Sequence, residues 1–514
     1  MTAMEPKPGR TTETEVAIVG AGFGGLCMAI KLIEAGRKDF VILEKGADVG
    51  GTWRDNSYPG AACDVQSHLY SYSFAPKADW TQRYAGWREI QDYILDVTER
   101  YRLRPYIRFG QEVSGAHFLQ DEGRWRIETR GGDVILARHW VLASGPLHVP
   151  AIPDLPGLSS FKGKLFHSAQ WDHGYDLSGK AVASIGTGGS AIQYVPEIAP
   201  KVKQLHVFQR TPAWVIPRDT RRYSDFRKKL FAAVPLLRKL HRARLYWSNE
   251  SRVWPIFNPA LARTLQKLAE MFIRSQVKDP ALQRKLTPDY TIGCKRVLIS
   301  NAYYPTFNRA NVELVTDGIR EIREHSIVTR DGVERPVDCI ILGTGFVVDP
   351  RVYMRGFALS GRDGHEIARD WARAPEAFLG TTVTGYPNMF QLVGPGTALG
   401  HNSIIFMIEA QVHYILDCLK QLDAQRALYV DVKPEVQRRF NDEVQGALKH
   451  SVWSTGCKSW YQTAEGINFT MWPWSTWRFW LRTRKVRLAD YEWVPAPAGP
   501  GAARPRAKAA ARTS

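Results

Sequence analysis

Hydrophobic and polar positions repeat one pattern twice along this chain. Residues 15–19 form a short apolar run. It is followed by Gly20-Ala21-Gly22-Phe23-Gly24-Gly25, and then by Leu26, Ala29, Ile30 and Ile33 at helical spacing up to Gly36. A second apolar run, 40–43, ends in Glu44. Strand, glycine turn, helix, strand and acid within about 30 residues is the order of a dinucleotide-binding βαβ unit. The order returns at 181–185, with the turn Gly186-Thr187-Gly188-Gly189-Ser190-Ala191, a helix from Ser190, and a strand over 205–208. That strand runs into Gln209-Arg210-Thr211-Pro212.

Between 218 and 286 the pattern changes. No glycine occurs, and Pro235, Pro255, Pro259 and Pro280 punctuate amphipathic helices. This predicts a helical insertion within the second unit. Strand patterns resume at 312–315 and 338–342. From about Gly380 the chain is expected to return to the first unit.

Composition narrows the class. The 514 residues are 44% hydrophobic and 23% charged, which suits a folded protein of two or three domains. No apolar run approaches the ~18–20 residues of a membrane span. Residues 1–15 carry no apolar signal core, so a cytoplasmic location is expected. The six cysteines are scattered, without a C-x-x-C pair. They read as buried reduced thiols and argue against a metal site or a redox-active dithiol.

The net charge of +18 is local. Residues 218–244 hold ten Lys/Arg and two Asp, 472–487 hold five basic residues and no acid, and the final segment holds four. Seven Trp lie between Trp453 and Trp493. These basic and Trp-rich segments raise peripheral contact with an anionic membrane as an alternative to plain packing and solvation. No nucleic-acid recognition motif accompanies the charge, so nucleic acid is not a partner.

The turns carry the candidate chemistry. Gly20 permits the tight turn, Gly22 and Phe23 open the helix toward a pyrophosphate, and Gly25 lets helix and strand pack closely. Glu44 suits a ribose diol and repels a 2′-phosphate, so the first unit takes FAD or NAD. In the second unit Gly186, Thr187, Gly188, Ser190 and Ala191 form the turn. Gln209, Arg210 and Thr211 replace the acid, which suits the 2′-phosphate of NADPH. Two sites of opposite preference imply hydride transfer from NADPH to FAD.

Four longer segments are family-like. Phe161 to Asp172 matches F-x-G-x-x-x-H-x-x-x-W-[P/D]. Gly50 to Asp64 reads G-G-x-W…Y-P-G…D. Gly293-Cys294-Lys295-Arg296 precedes Tyr303 to Arg309, and Asp338 to Phe346 joins a strand to G-T-G. Together these resemble the Baeyer–Villiger monooxygenases. The resemblance implies FAD and NADPH as cofactors and a small-molecule ketone and O2 as substrates. Reduced flavin would carry a peroxide that converts the ketone to an ester or lactone. It implies Arg296 as the fixed cation beside that peroxide, oriented by Asp64, with Lys295 on the 2′-phosphate. Gly51, Thr52, Trp53, Asp64 and Tyr70 would border the flavin. His167 and Trp171 would serve conformation, not proton transfer. A monooxygenase acting on nitrogen or sulfur, and a non-catalytic membrane-docked flavin protein, stay open beside it.

The fold class expected is α/β, two Rossmann-like domains with a helical insertion in the NADP domain. The expected FAD domain is 1–148 with 380–494, and the NADP domain is 149–217 with 291–379. The insertion is 218–290, and 495–514 is a disordered basic tail.

Overall fold

The computed structural model describes residues 9–496. Both glycine-turn units appear as separate sheets. In the first, Thr11–Val19 runs parallel between Phe40–Leu43 and Val134–Leu142, with Ala17 opposite Val41 on one side and Trp140 on the other. The strand starts at Thr11, before its apolar run, because Thr11 to Thr14 still find backbone partners at Val134 to Ala137. A ladder needs only N–H and C=O groups, so polar side chains do not end it. Antiparallel strands Val113–Leu119 and Arg124–Thr129 extend this sheet.

The second sheet is parallel throughout. Its order is Val312–Val315, Gln204–Phe208, Ala181–Ile185, Cys339–Leu342, Lys164–His167. The H-x-x-x-W motif therefore begins on its edge strand. Between Phe208 and Val312 the chain leaves for the helices Asp225–Ala233, Pro235–Glu250, Val253–Phe257, Pro259–Gln276 and Pro280–Leu286. Pro235, Pro259 and Pro280 each occupy a first helical position, where a missing N–H costs nothing.

Three expectations need correction. Ala358–Ser360 pairs with Val113–Leu119, Ala358 opposite Gly115, so the return to the first sheet precedes Gly380 and 291–379 is not one body. A three-residue edge strand is too short to show alternation. Pro495 belongs to the strand Tyr491–Pro495, antiparallel to Ala427–Val432. The rest of the expected tail, from 497, lies outside the described residues. Finally, Cys294 and Cys457 form a disulfide across 163 positions, whereas Cys27, Cys63, Cys339 and Cys418 are free and buried. Spacing along the chain does not reveal a pair that only the fold brings together.

Among the described residues no helix is long and apolar enough to cross a membrane. The Trp-rich segment divides. Trp453 and Trp472 are buried in the main core, whereas Trp460, Trp477 and Trp480 stay exposed.

Candidate active site

A cavity of about 1630 Å³ is walled by both glycine turns. A single drug-sized ligand takes ~300–1,000 Å³, so this space suits two dinucleotides. All of the sequence-predicted site residues line it except Gly25 and Ala191. Gly25 acts through packing, since a Cβ there would lie 1.8 Å from the Gly20 carbonyl oxygen. Ala191 is fully buried at the start of its helix.

The two turns share one geometry. The Gly20 amide donates to the Leu43 carbonyl at 2.8 Å, and the Gly186 amide to the Phe208 carbonyl at 3.0 Å. Their φ angles are 102° and 109°, a region open to glycine and strained for other residues. A Cβ at Gly188 would meet nothing within 4 Å, so the backbone there faces open space.

Glu44 is more heavily engaged than its sequence position suggests. One carboxylate oxygen accepts from the Arg54 guanidinium at 2.9 Å and the Gly46 amide at 2.7 Å; the other accepts from the Ala21 amide at 2.8 Å. A carboxylate offers about four acceptor positions, so one remains for a ribose hydroxyl. Nearby, the Trp53 indole donates to the Tyr70 hydroxyl at 3.2 Å, and Phe23 meets Tyr70 edge-on. Gln209 lines the cavity, but its side-chain amide donates to the Lys285 carbonyl of the insertion.

Arg210 and Lys295 collect positive charge at the second turn. The Lys295 ammonium sits 4.7 Å over the Tyr290 ring. Burial, and then the neighbouring Arg210, lower its pKa. Two cations held close are stabilised by an incoming dianion.

Asp64 and Arg296 form the other charged feature. Both Arg296 Nε and Nη2 donate to one Asp64 oxygen, at 2.9 and 2.6 Å. Asp64, chiefly, pushes the guanidinium's pKa up, so the site carries a permanent cation facing the cavity. Tyr461 is buried beside the pair, its phenol pushed up to about 12 by burial. The Cys294–Cys457 bridge adjoins both sides, since Lys295-Arg296 and Lys458 to Trp460 line the cavity.

Sequence reasoning missed Gln193. Its side-chain oxygen accepts from the Tyr58 hydroxyl at 2.9 Å and its amide donates to the Ala62 carbonyl at 2.9 Å. The helix Ala191–Ile198 thereby holds the loop that presents Asp64. An isolated Gln on an amphipathic helix carries no signal of such a contact. His167 and Trp171 do not line the cavity. His167 Nδ1 accepts from the Ala169 amide, and Trp171 packs on Phe166 and Tyr194. Gly394, Pro395 and Asn402 border the cavity just before the helix Ile404–Ala424, which Ser403 caps.

The chain matches the flavin-binding monooxygenase-like family model over residues 13–245. A Baeyer–Villiger monooxygenase of Pseudomonas aeruginosa is 46% identical over 496 residues, 96% of this chain and 94% of that protein. The chain belongs to the Baeyer–Villiger monooxygenase family. Among solved structures, an oxidized steroid monooxygenase bound to NADP has 31% identity and a TM-score of 0.85, covering 94% of this chain and all of that one. OTEMO in complex with FAD and NADP has 26% identity and a TM-score of 0.86, over 94% and 99% of the two chains.

The residues of this Baeyer–Villiger monooxygenase fit both cofactors. The first turn and the remaining acceptor position on Glu44 suit FAD. The open backbone at Gly188 and the cations Arg210 and Lys295 suit NADPH.

Proposed function

We propose that this monooxygenase uses Arg296, held by Asp64, to insert one oxygen atom of O2 beside the carbonyl of a small-molecule ketone, giving an ester or lactone. FAD, reduced by NADPH, supplies the oxygen activation when bound. The observation that carries the reading is the Asp64–Arg296 pair on the wall shared by the two turns.

In this reading each residue has a physical task. Arg296 holds positive charge and N–H donors where negative charge develops on oxygen, with no reorganisation needed at that moment. Asp64 fixes the orientation of the guanidinium. Trp53 and Tyr70 shape the apolar wall, and Glu44 takes the ribose. Arg210 and Lys295 select NADPH over NADH. FAD is bound by the part up to 148 and the C-terminal return, NADPH by the parallel sheet. A cytoplasmic location is part of the proposal, because NADPH is supplied there.

The test is direct. The purified protein is analysed for bound FAD, and NADPH consumption is followed across a ketone panel with product mass. FAD retention and a product 16 mass units heavier support the proposal, a shift set by one oxygen atom. A protein unable to bind FAD, or one that yields only hydrogen peroxide with every ketone, overturns it.

A further inference from the structure

Two of the basic stretches meet in the fold. The Tyr246 hydroxyl lies 2.9 Å from Thr476 Oγ1. Buried Glu250 accepts from Thr476 and, at 2.6 Å, from the Asn402 side-chain amide. The helices Pro235–Glu250 and Thr476–Arg482 are thus clasped through Tyr246, Glu250 and Thr476.

Their exposed faces are apolar as well as basic. Among the described residues, more than half of the large hydrophobic side chains that stay exposed fall within 226–271. Leu236, Leu240 and Trp247 follow a helical spacing on one face, and Trp247 is 60% exposed. Leu261, Leu265 and Leu268 repeat the spacing on Pro259–Gln276, and Trp477 and Trp480 contribute from the clasped helix. Residues 226–276 hold eleven Lys/Arg against Glu250 and Glu270, and Glu250 is buried.

An apolar stripe flanked by cations argues against a second copy of this chain as its cover, since two such faces repel. It matches an anionic bilayer, whose headgroups take the cations while Trp and Leu enter the boundary with the acyl chains. We propose that the insertion and Thr476–Arg482 form a docking face for anionic lipid membranes. The same insertion holds Asn402 from its inner side, and Asn402 lines the cavity. The docked face therefore backs directly onto the active-site wall.

The experiment is co-sedimentation of the full-length, FAD-loaded protein with phosphatidylglycerol and phosphatidylcholine vesicles. Binding to phosphatidylglycerol at low salt is expected, falling as salt shortens the screening length to a few ångströms. Binding to phosphatidylcholine is expected to be weak. The double variant Leu240→Gln/Trp247→Gln should lose at least tenfold in binding, since both apolar side chains would no longer enter the bilayer boundary, with unchanged flavin content. Should it fail to fold, Lys239→Glu/Arg244→Glu serves the same purpose on exposed cations. No sedimentation at low salt overturns the proposal. So does binding unchanged in both variants, or a dimer that these variants dissociate. None of these readings uses a ketone, so they stand or fall apart from the catalytic assignment.

Discussion

Arg296 reaches Asp64 through two donors on one oxygen, and the partners are 232 positions apart in sequence. The geometry turns a mobile side chain into a fixed charge beside the cavity. Arg296→Ala should lower the rate of ketone oxygenation by about 10²–10³-fold, the typical effect of losing one donor to a developing oxyanion. NADPH oxidation should continue and release hydrogen peroxide. Asp64→Asn keeps an acceptor but removes the charge, so a smaller loss is expected. Parallel assays of product, NADPH and peroxide check both; full product yield from Arg296→Ala refutes the assignment.

Burial chiefly, and then Arg210, lower the Lys295 pKa, so the two cations lie close together at the second turn. Removing either cation should weaken NADPH by about 10–100-fold, the range for one hydrogen bond to a charged group. NADH should be nearly unaffected. Steady-state KM for both nucleotides in Arg210→Ala and Lys295→Ala tests this, and an equal rise for the two nucleotides contradicts a 2′-phosphate role.

The Cys294–Cys457 bridge ties the Arg296 segment to the Trp460 wall. Cross-linking of this kind stabilises by ~2–4 kcal/mol. Dithiothreitol, itself oxidised as it takes the bridge to two thiols, should lower the melting temperature by several degrees. Cys457→Ser should melt at the reduced value with or without reductant. A reductant effect that persists in Cys457→Ser would place the sensitive bond elsewhere.

His68 lies buried among Tyr223, Phe231 and His241. Burial, with His241 and Arg227, Arg238 and Arg242 close by, lowers its pKa from 6.5 to about 3. The folded protein therefore resists a proton that the unfolded chain accepts. Stability is fully present above pH 6.5 and is lost as pH falls toward 3, by up to ~1.4 kcal/mol per pH unit. His241, lowered to about 4 mainly by burial, acts in the same direction. Denaturant unfolding at pH 7.5 and 5 should show the loss, and His68→Phe should reduce the pH slope. An unchanged slope excludes His68 as its source.

The turns and their partners were legible because they are local. Gly20, Gly22 and Gly25 sit within six residues, and backbone sterics dictate glycine at Gly20 and at Gly25 whatever the tertiary setting. The Arg210-Thr211 end of its strand was readable for the same reason. Asp64 and Arg296 came from the family likeness, since nothing in their spacing announces a contact. Gln193, the early return through Ala358–Ser360 and the disulfide left no periodic trace at all.

The sequence by itself determined the two βαβ units and the Pro-punctuated helical insertion. Hydrophobic period and glycine placement act over a few residues, so they can be read without coordinates. Only the tertiary structure decided which distant groups meet. It placed Asp64 on Arg296, closed Cys294 onto Cys457, and joined the basic insertion to Thr476–Arg482 through Tyr246 and Glu250. Those contacts follow from how sheets and helices pack, which side-chain pattern along one strand or helix does not specify.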